Sequence, residues 1–201
     1  MNDIETRRRY LTDAQWARTS SSWKEIKPLR DFNQFRLTDE TKDQCFQRLQ
    51  LAGYRIPALV IDQWIYQHYY NSHTVDNYGW IDYREAEFNE TSLTNYLLKT
   101  LYIIEDYRPY VNQRSQSRPF EDFTCKSEDL EYWKTNGSWR IPPIVLDVKS
   151  FSNAPSYAEL GNSLQLIEGH TRLGYLLAMA TAGILQKQEH GVFILRKSVS
   201  H

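Results

Sequence analysis

The stretch "LQLIEGHTRLGYLLAMA", residues 164–180, decides how the carboxyl-terminal part of this chain is interpreted. Residues 164–168 carry the apolar alternation that is typical of a strand, and the leucines and alanines that follow recur at helical spacing. A glycine, Gly169, separates the two patterns. The sequence therefore predicts a strand that turns directly into a helix, with polar side chains gathered at the corner.

The polar residues at this corner suit the binding of an anion. The first amides of a helix have no partner within the helix, and the positive end of the helix dipole lies behind them. Gly169 would let an anion approach the backbone, while Thr171 offers a hydroxyl and Arg172 a two-pronged donor. Glu168 is a candidate metal ligand or base, and His170 is a candidate proton donor. Together these residues predict a cradle for a phosphate or carboxylate group.

A simpler interpretation needs no ligand. Glu168 and Arg172 lie four residues apart and would form an ion pair that contributes little stability, while His170 would be a solvated residue at a helix start. The order of the charges favours an anion, because cationic side chains at a helix start are unfavourable unless an anion neutralises them. Asp147, which ends the preceding predicted strand, is a further candidate for the same site.

Composition limits the classes of function. The chain has 201 residues, of which 41% are hydrophobic, and a net charge of −1. That is enough apolar material for one large core or two small ones, and it provides no basic surplus of the kind that drives non-specific DNA binding. A local basic cluster at Thr6–Tyr10 leaves nucleic acid as a possible partner, although the net charge does not favour it. The many aromatic residues are expected to fill cores, with a protein interface in the amino-terminal half as the alternative.

The expected location is the cytoplasm. Cys45 and Cys125 lie far apart and predict reduced thiols rather than a disulfide framework or a metal site. No apolar run approaches the length of a membrane span, so no membrane association is expected. The polar, charged start of the chain differs from a secretory signal.

Periodicity predicts an α+β fold in two parts, divided between residues 122 and 123. In residues 1–122, helices are predicted over 1–25, 38–53, 63–73 and 92–106, a strand over 54–62, and loops over 71–90 and 108–122. In residues 123–201, helices are predicted over 126–137 and 170–183, with strands over 140–148, 164–169 and 191–199 in a small mixed sheet. The similar segments "RIPALVID" (55–62) and "RIPPIVLD" (140–147) agree at five of eight positions and are interpreted as coincidence, since nothing like the corner follows the first.

The pattern "PPIVLDV…LQLIEGHTRLGYLLAMATAG…VFIL" resembles the ParB/sulfiredoxin superfamily over roughly residues 127–198. The most specific part is "EGHTR" between a strand and a helix. The resemblance implies that Gly169, His170, Thr171 and Arg172 line a site for the phosphates of a nucleotide, ATP, ADP or CTP with Mg²⁺, and that Glu168 holds the acidic position. By the same resemblance, Glu168, His170 and Arg172 would be the catalytic residues.

Departures from the superfamily narrow the expected activity. Sulfiredoxin has its catalytic cysteine just before the motif histidine, where this chain has Gly169, so sulfinic-acid reduction is disfavoured. Partition CTPases carry several arginines after the glycine, where this chain has only Arg172. The expected function is nucleotide or phosphate binding with phosphotransferase or nuclease chemistry. The alternative is a non-catalytic regulatory or protein-interaction module, for example in phage or mobile-element conflict.

Overall fold

The computed structural model describes residues 11–30 and 39–198. The described residues form two compact units. The first unit takes residues up to Phe88, together with Phe151–Glu159 and the residues from Arg196 onward. The second unit comprises Asn89–Ser150 and Leu160–Leu195. The basic cluster at Thr6–Tyr10 and the predicted helix start at Thr38 lie outside the described residues.

Short helices build the described part of the first unit. They are α1 (Asp13–Ala17), α2 (Ser21–Glu25), α3 (Lys42–Leu51), α4 (Ala58–Val60), α5 (Tyr66–His68) and α6 (Ser72–Tyr78). A π-helical turn, Ile61–Ile65, joins α4 to α5. Buried rings contact one another at the centre of the unit: Trp23, Trp64, Tyr69, Tyr78 and Tyr83. Most of the tyrosine and tryptophan content of this unit therefore serves its core.

The remaining elements follow in chain order: β1 (Ala86–Thr94), α7 (Asn95–Lys99), a 3₁₀ turn (Glu105–Tyr107), α8 (Arg108–Ser115), α9 (Ser127–Asn136), β2 (Ile144–Asp147), a second 3₁₀ turn (Val148–Ser150), β3 (Leu164–Glu168), α10 (His170–Thr181) and β4 (Glu189–Lys197). The strands form one sheet in the order β1-β4-β2-β3. β2 is antiparallel to β3 and parallel to β4, so the sheet is mixed. This confirms the α+β class predicted from periodicity.

The core of the second unit lies between the sheet and helices α8–α10. Val145 and Leu166 of the sheet belong to one buried cluster with Leu173 and Leu176 of α10 and Trp133 of α9. α8 and α10 approach closely at Gly174, where a Cβ atom would lie 2.4 Å from the Cβ of Arg114. Glycine is thus required by the space between these two helices.

Several predicted elements are confirmed. The described part of the helix predicted over 1–25 contains α1, which a capping box of Thr12 and Gln15 opens, and Gly137 ends α9 in the left-handed conformation at the predicted end of 126–137. The strand at 164–168 and the helix from His170 lie where the alternation and the spacing place them. The predicted helix over 38–53 corresponds to α3, which buries Cys45 and Leu49.

The predicted strand over 54–62 is wrong, because this segment begins a helical run that continues to His68. The buried residues Val60, Ile61, Trp64 and Ile65 recur at helical spacing, which becomes visible only when the window extends beyond residue 62. The matching segment 140–147 contains strand β2. The two similar octapeptides therefore adopt different structures, in agreement with a coincidental likeness.

The predicted long helix over 92–106 is also wrong. Thr94 caps the five-residue helix α7, and the chain then extends so that Tyr102 pairs with Gln165 of β3. The predicted loops over 71–90 and 108–122 contain α6 and α8 instead. Pro109 lies in the first turn of α8, where its missing amide costs nothing. Because α8 packs on α10, residues 89–122 belong to the same unit as the corner, and the units do not divide at 122.

Among the helices of the described residues, none is long and apolar enough to cross a membrane.

Candidate functional site

The corner between β3 and α10 is built around a glycine in the left-handed region. Gly169 has φ +106° and is the residue before the first turn of α10. A Cβ atom there would lie 2.7 Å from the Cβ of Pro143, so both the backbone angle and the space require glycine. The fold alone therefore explains why position 169 is a glycine, whether or not a ligand binds.

A pocket of about 230 Å³ opens at this corner, within the second unit. Four of the predicted residues line it: Glu168, Gly169, Thr171 and Arg172. Helix α9 and the segment before β2 supply most of the other walls, chiefly Asp129, Trp133, Trp139 and Arg140. The start of α10 consequently faces a cavity.

Arg172 lies in the wall of this pocket and is mostly buried, with 19% of its side chain exposed. One terminal nitrogen donates to the backbone oxygen of Ile141 at 3.0 Å. Burial lowers the pKa of Arg172, and the carboxylates of Glu168 and Asp129 oppose that shift. A guanidinium remains protonated in a protein, so the pocket holds a fixed positive charge.

Carboxylates accompany both arginines of the pocket. The second terminal nitrogen of Arg172 lies 3.8 Å from a carboxylate oxygen of Glu168, which is a loose ion pair. Arg140 donates to Asp129 at 2.8 Å and to Glu128 at 2.7 Å. The ion pair that the simpler interpretation required is therefore present, although its two atoms lie beyond hydrogen-bond distance.

Thr171 is held by a residue from α8. Its hydroxyl lies 2.7 Å from the hydroxyl of Tyr110. If Tyr110 donates, the Thr171 proton is left to point into the pocket, because a hydroxyl both donates and accepts. Four residues further along the helix, about one turn, the hydroxyl of Tyr175 accepts from the amide of Thr124 at 2.7 Å. α8 and the segment before α9 thus fix the polar face of the first turns of α10.

The structure does not bring His170 to the pocket. The residue is 9% exposed, and its ring packs against that of Tyr107, with ring centroids 4.5 Å apart. His170 is absent from the pocket lining, although its neighbours on both sides belong to it. This position suits packing better than proton transfer to a ligand in the pocket.

Asp147 is not brought to the corner either. Because β2 and β3 are antiparallel, Glu168 lies opposite Ile144, while Asp147 lies opposite Leu164 at the other end of both strands. Three residues of strand separate the two positions, a distance of about 10 Å. A strand that ran parallel to β3 would have placed the two carboxylates together.

Within the described ranges, no three His, Cys, Asp or Glu side chains are grouped as a metal site. Glu168 and Asp129 both line the pocket and offer hard oxygen donors. Mg²⁺ commonly takes only one or two carboxylates and completes its shell with phosphate oxygens and water. Each of these carboxylates also has an arginine neighbour, Arg140 for Asp129 and Arg172 for Glu168.

Sequence reasoning found the corner but missed most of its surroundings. Tyr110, Asp129 and Trp133 come from segments that the sequence assigned to a loop or to an ordinary amphipathic helix. No local motif marks them, because their role depends on where α8 and α9 pack.

No family model, no curated protein and no solved structure matches this chain.

Proposed function

We propose that the corner pocket binds a phosphate group of a nucleotide or of another small phosphorylated molecule. The observation that carries this proposal is the coincidence of three features at one cavity: the start of α10, the left-handed Gly169 and the guanidinium of Arg172. A helix start offers unpaired amides and a positive dipole end, and a guanidinium adds charge-assisted donors. The resemblance to the ParB/sulfiredoxin superfamily leads to the same ligand.

The proposed chemistry is phosphoryl transfer or phosphodiester cleavage. Catalysis of these reactions depends mainly on positioning and on stabilising charge at the phosphate oxygens. Arg172 and the first amides of α10 would supply that stabilisation, and Thr171 would donate a hydrogen bond. Glu168 would hold Mg²⁺ or act as a base, and a bound metal would neutralise part of the phosphate charge. A cytoplasmic location remains part of this proposal.

Ligand binding by the wild-type protein tests the proposal first. Thermal unfolding is followed with ATP, ADP, CTP and inorganic phosphate, each with and without Mg²⁺. A ligand that binds only the folded state raises the unfolding temperature. Arg172→Gln should abolish the increase, whereas Arg118→Gln should retain it, since Arg118 is 72% exposed and pairs with Glu121 and Asp122 away from the pocket.

Cysteine labelling gives a second test that needs no variant. Cys125 is exposed and lines the pocket, whereas Cys45 is buried. A ligand in the corner pocket should slow the reaction of Cys125 with a thiol reagent and leave Cys45 unreactive throughout. Unchanged labelling at saturating concentrations of every probe would overturn the proposal, even if Arg172→Gln fails to fold.

Catalysis is tested separately from binding. Release of inorganic phosphate from ATP or CTP, and metal-dependent cleavage of an oligonucleotide, are measured for the wild type and for Glu168→Gln. Activity that this substitution abolishes, while binding persists, supports the proposed role of Glu168. Binding without either activity supports a non-catalytic site.

One observation favours the second candidate, a non-catalytic regulatory or interaction module. Both arginines of the pocket have carboxylate neighbours, so the charges balance without a ligand. Such a balanced pocket is compatible with a purely structural corner. Absence of any ligand effect, together with a protein partner that co-purifies with the chain, would support this candidate.

A further inference from the structure

A second cavity, of about 450 Å³, lies in the second unit at the opposite end of β3 from the corner pocket. We refer to it as the Arg108 groove. It is lined by Tyr102, Arg108, Asn112, Asn162 and Ser163, with Leu164 at the start of β3. Its volume falls in the range of small-molecule sites. It is independent of the corner pocket, with which it shares no lining residue.

Two contacts position the side chain of Arg108 in the wall of this groove. Its Nε donates to the backbone oxygen of Ile103 at 2.8 Å, and its guanidinium carbon lies 5.0 Å from the centre of the Tyr102 ring. Contact of this kind with an aromatic face is attractive and fixes the plane of the guanidinium. A donor that is already fixed loses little entropy when a ligand binds.

Tyr102, which supports Arg108, is itself anchored to the sheet. Its amide donates to the oxygen of Leu164 and its oxygen accepts from the amide of Leu166, both at 2.9 Å. Gly161 lies so close that a Cβ atom there would be 2.4 Å from the Cβ of Tyr102. Gly161 therefore packs directly against the Tyr102 side chain, and the backbone of Tyr102 is fixed by its pairing with β3.

The charge of Arg108 has no counterpart in the groove. Among the described residues, Arg108 makes no ion pair, and the groove has no carboxylate in its lining. In the corner pocket, by contrast, Arg140 and Arg172 both have carboxylate neighbours. The groove thus presents a positive charge with two terminal nitrogens available and no carboxylate in its lining.

Neutral hydrogen-bonding groups surround this charge. Asn112 follows Arg108 by one helical turn and shares its face of α8, while Asn162 and Ser163 approach from the loop before β3. In the described part of the chain, these three side chains have no hydrogen-bond partner. Amides and a hydroxyl both donate and accept, so they match the hydroxyl groups of a ligand.

We propose that the Arg108 groove is a second ligand site, for a small organic anion that carries hydroxyl groups, such as a sugar phosphate or a sugar acid. The anion would pair with Arg108, and the ligand hydroxyls would bind Asn112, Asn162 and Ser163. Both kinds of ligand combine an anionic group with several hydroxyl groups. This inference does not rest on the proposed function of the corner pocket.

Titration calorimetry tests the proposal with three probes: glucose 6-phosphate, glucuronate and neutral glucose. At least one of the two anions should bind, and glucose should bind at least about tenfold more weakly, since a charge-assisted pair is worth more than about 1.4 kcal/mol. Comparison of the two anions distinguishes a phosphate from a carboxylate as the preferred group. Equal binding of glucose and the anions would overturn the assignment, and so would the absence of binding by both anions.

Two substitutions locate the binding. Arg108 is exposed, so Arg108→Gln should fold normally, which circular dichroism verifies, and should weaken anion binding at least about tenfold. Arg118→Gln removes another exposed arginine outside the groove and should leave affinity unchanged. Loss of binding in Arg172→Gln with full binding in Arg108→Gln would place the anion in the corner pocket, overturning this inference and supporting the other site.

Discussion

At the scale of single residues, Gly169 carries two separate constraints. Its φ of +106° disfavours any other residue, and Pro143 occupies the place of a side chain. Gly183 offers a matched control, because it has φ +71° but no atom within 4 Å of its added Cβ. The two positions therefore separate backbone strain from steric overlap.

We expect Gly183→Ala to cost about 1 kcal/mol of unfolding free energy, from the backbone angle alone. Gly169→Ala should cost at least about 1 kcal/mol more, since Pro143 or the corner must also shift. Urea unfolding measures both. Equal losses at the two positions would contradict the close packing of the corner against Pro143.

A second residue-scale feature is the buried chain of Ser138, His190 and Asn95. The Nδ1 of His190 lies 2.8 Å from the Ser138 hydroxyl, and its Nε2 lies 2.9 Å from the amide oxygen of Asn95. Because that oxygen only accepts, Nε2 carries the proton and Nδ1 accepts from Ser138. Burial, with the charge of Lys187 as a smaller cause, lowers the pKa of His190 to about 4.

This lowered pKa predicts a pH dependence of stability. The unfolded chain protonates His190 near pH 6.5, whereas the folded protein does so only near pH 4. The stabilisation is therefore complete above pH 6.5 and is lost as the pH falls toward 4, by about 3 kcal/mol in total. Urea unfolding across this range should show that the unfolding free energy of His190→Gln depends less steeply on pH than that of the wild type.

At the scale of elements, the segment 54–68 shows why local similarity misleads. Residues 59 and 61 would share a face in a strand, but they diverge in a helix. In the structure Leu59 is 42% exposed and Ile61 is 1% exposed. The short β-branched run at 54–62 predicts a strand when it is considered alone. The helical spacing becomes visible when the apolar residues after position 62 are included.

Paired truncations distinguish the two structures of this segment. Ile61→Ala should lower the unfolding free energy by about 2–5 kcal/mol, as is usual for buried aliphatic residues. Leu59→Ala should change it by no more than about 0.5 kcal/mol. Similar losses at both positions would instead support the strand predicted from the sequence. Urea unfolding of both variants provides the comparison.

The segment 92–106 failed as a prediction for a different reason. Its apolar residues Leu93, Tyr96, Leu97, Leu101 and Ile104 recur at helical spacing, but Thr94 caps a helix that starts later and ends at Lys99, and Tyr102 lies beyond it and pairs with β3. The spacing predicts a buried Tyr96, yet Tyr96 is 74% exposed and Leu98 is 1% exposed. Pairing with a distant strand outweighed a helical periodicity that local residues favoured.

Truncation at these two positions reports on the observed helix. Leu98→Ala should cost about 2–5 kcal/mol of unfolding free energy, because the side chain is fully buried. Tyr96→Ala should cost no more than about 0.5 kcal/mol. A greater loss of unfolding free energy for Tyr96→Ala than for Leu98→Ala, measured by thermal or urea unfolding, would support the long helix predicted over 92–106.

At the scale of the whole molecule, the sequence predicted the α+β class and the corner, but not the membership of the two units. The strand–glycine–helix pattern of 164–180 is local, so periodicity and turn chemistry reveal it. The walls of the corner pocket come from α9 and from residues before β2, and α8 fixes Thr171 through Tyr110. The position of these walls depends on how separate helices pack, for example where α8 meets α10 at Gly174. The sequence of one segment does not reveal such contacts.

Hydrogen exchange tests the proposed pocket at this scale. Every lining residue of the corner pocket belongs to the second unit, so a bound phosphate ligand should slow exchange in the first turn of α10 and in α9. Exchange in α1–α6 of the first unit should stay unchanged, because none of these helices lines the pocket. The same ligand should leave exchange unaltered in Arg172→Gln. Protection confined to α3 or α6 would instead place the ligand in the first unit, and the anion cradle at the start of α10 would lose its assigned role.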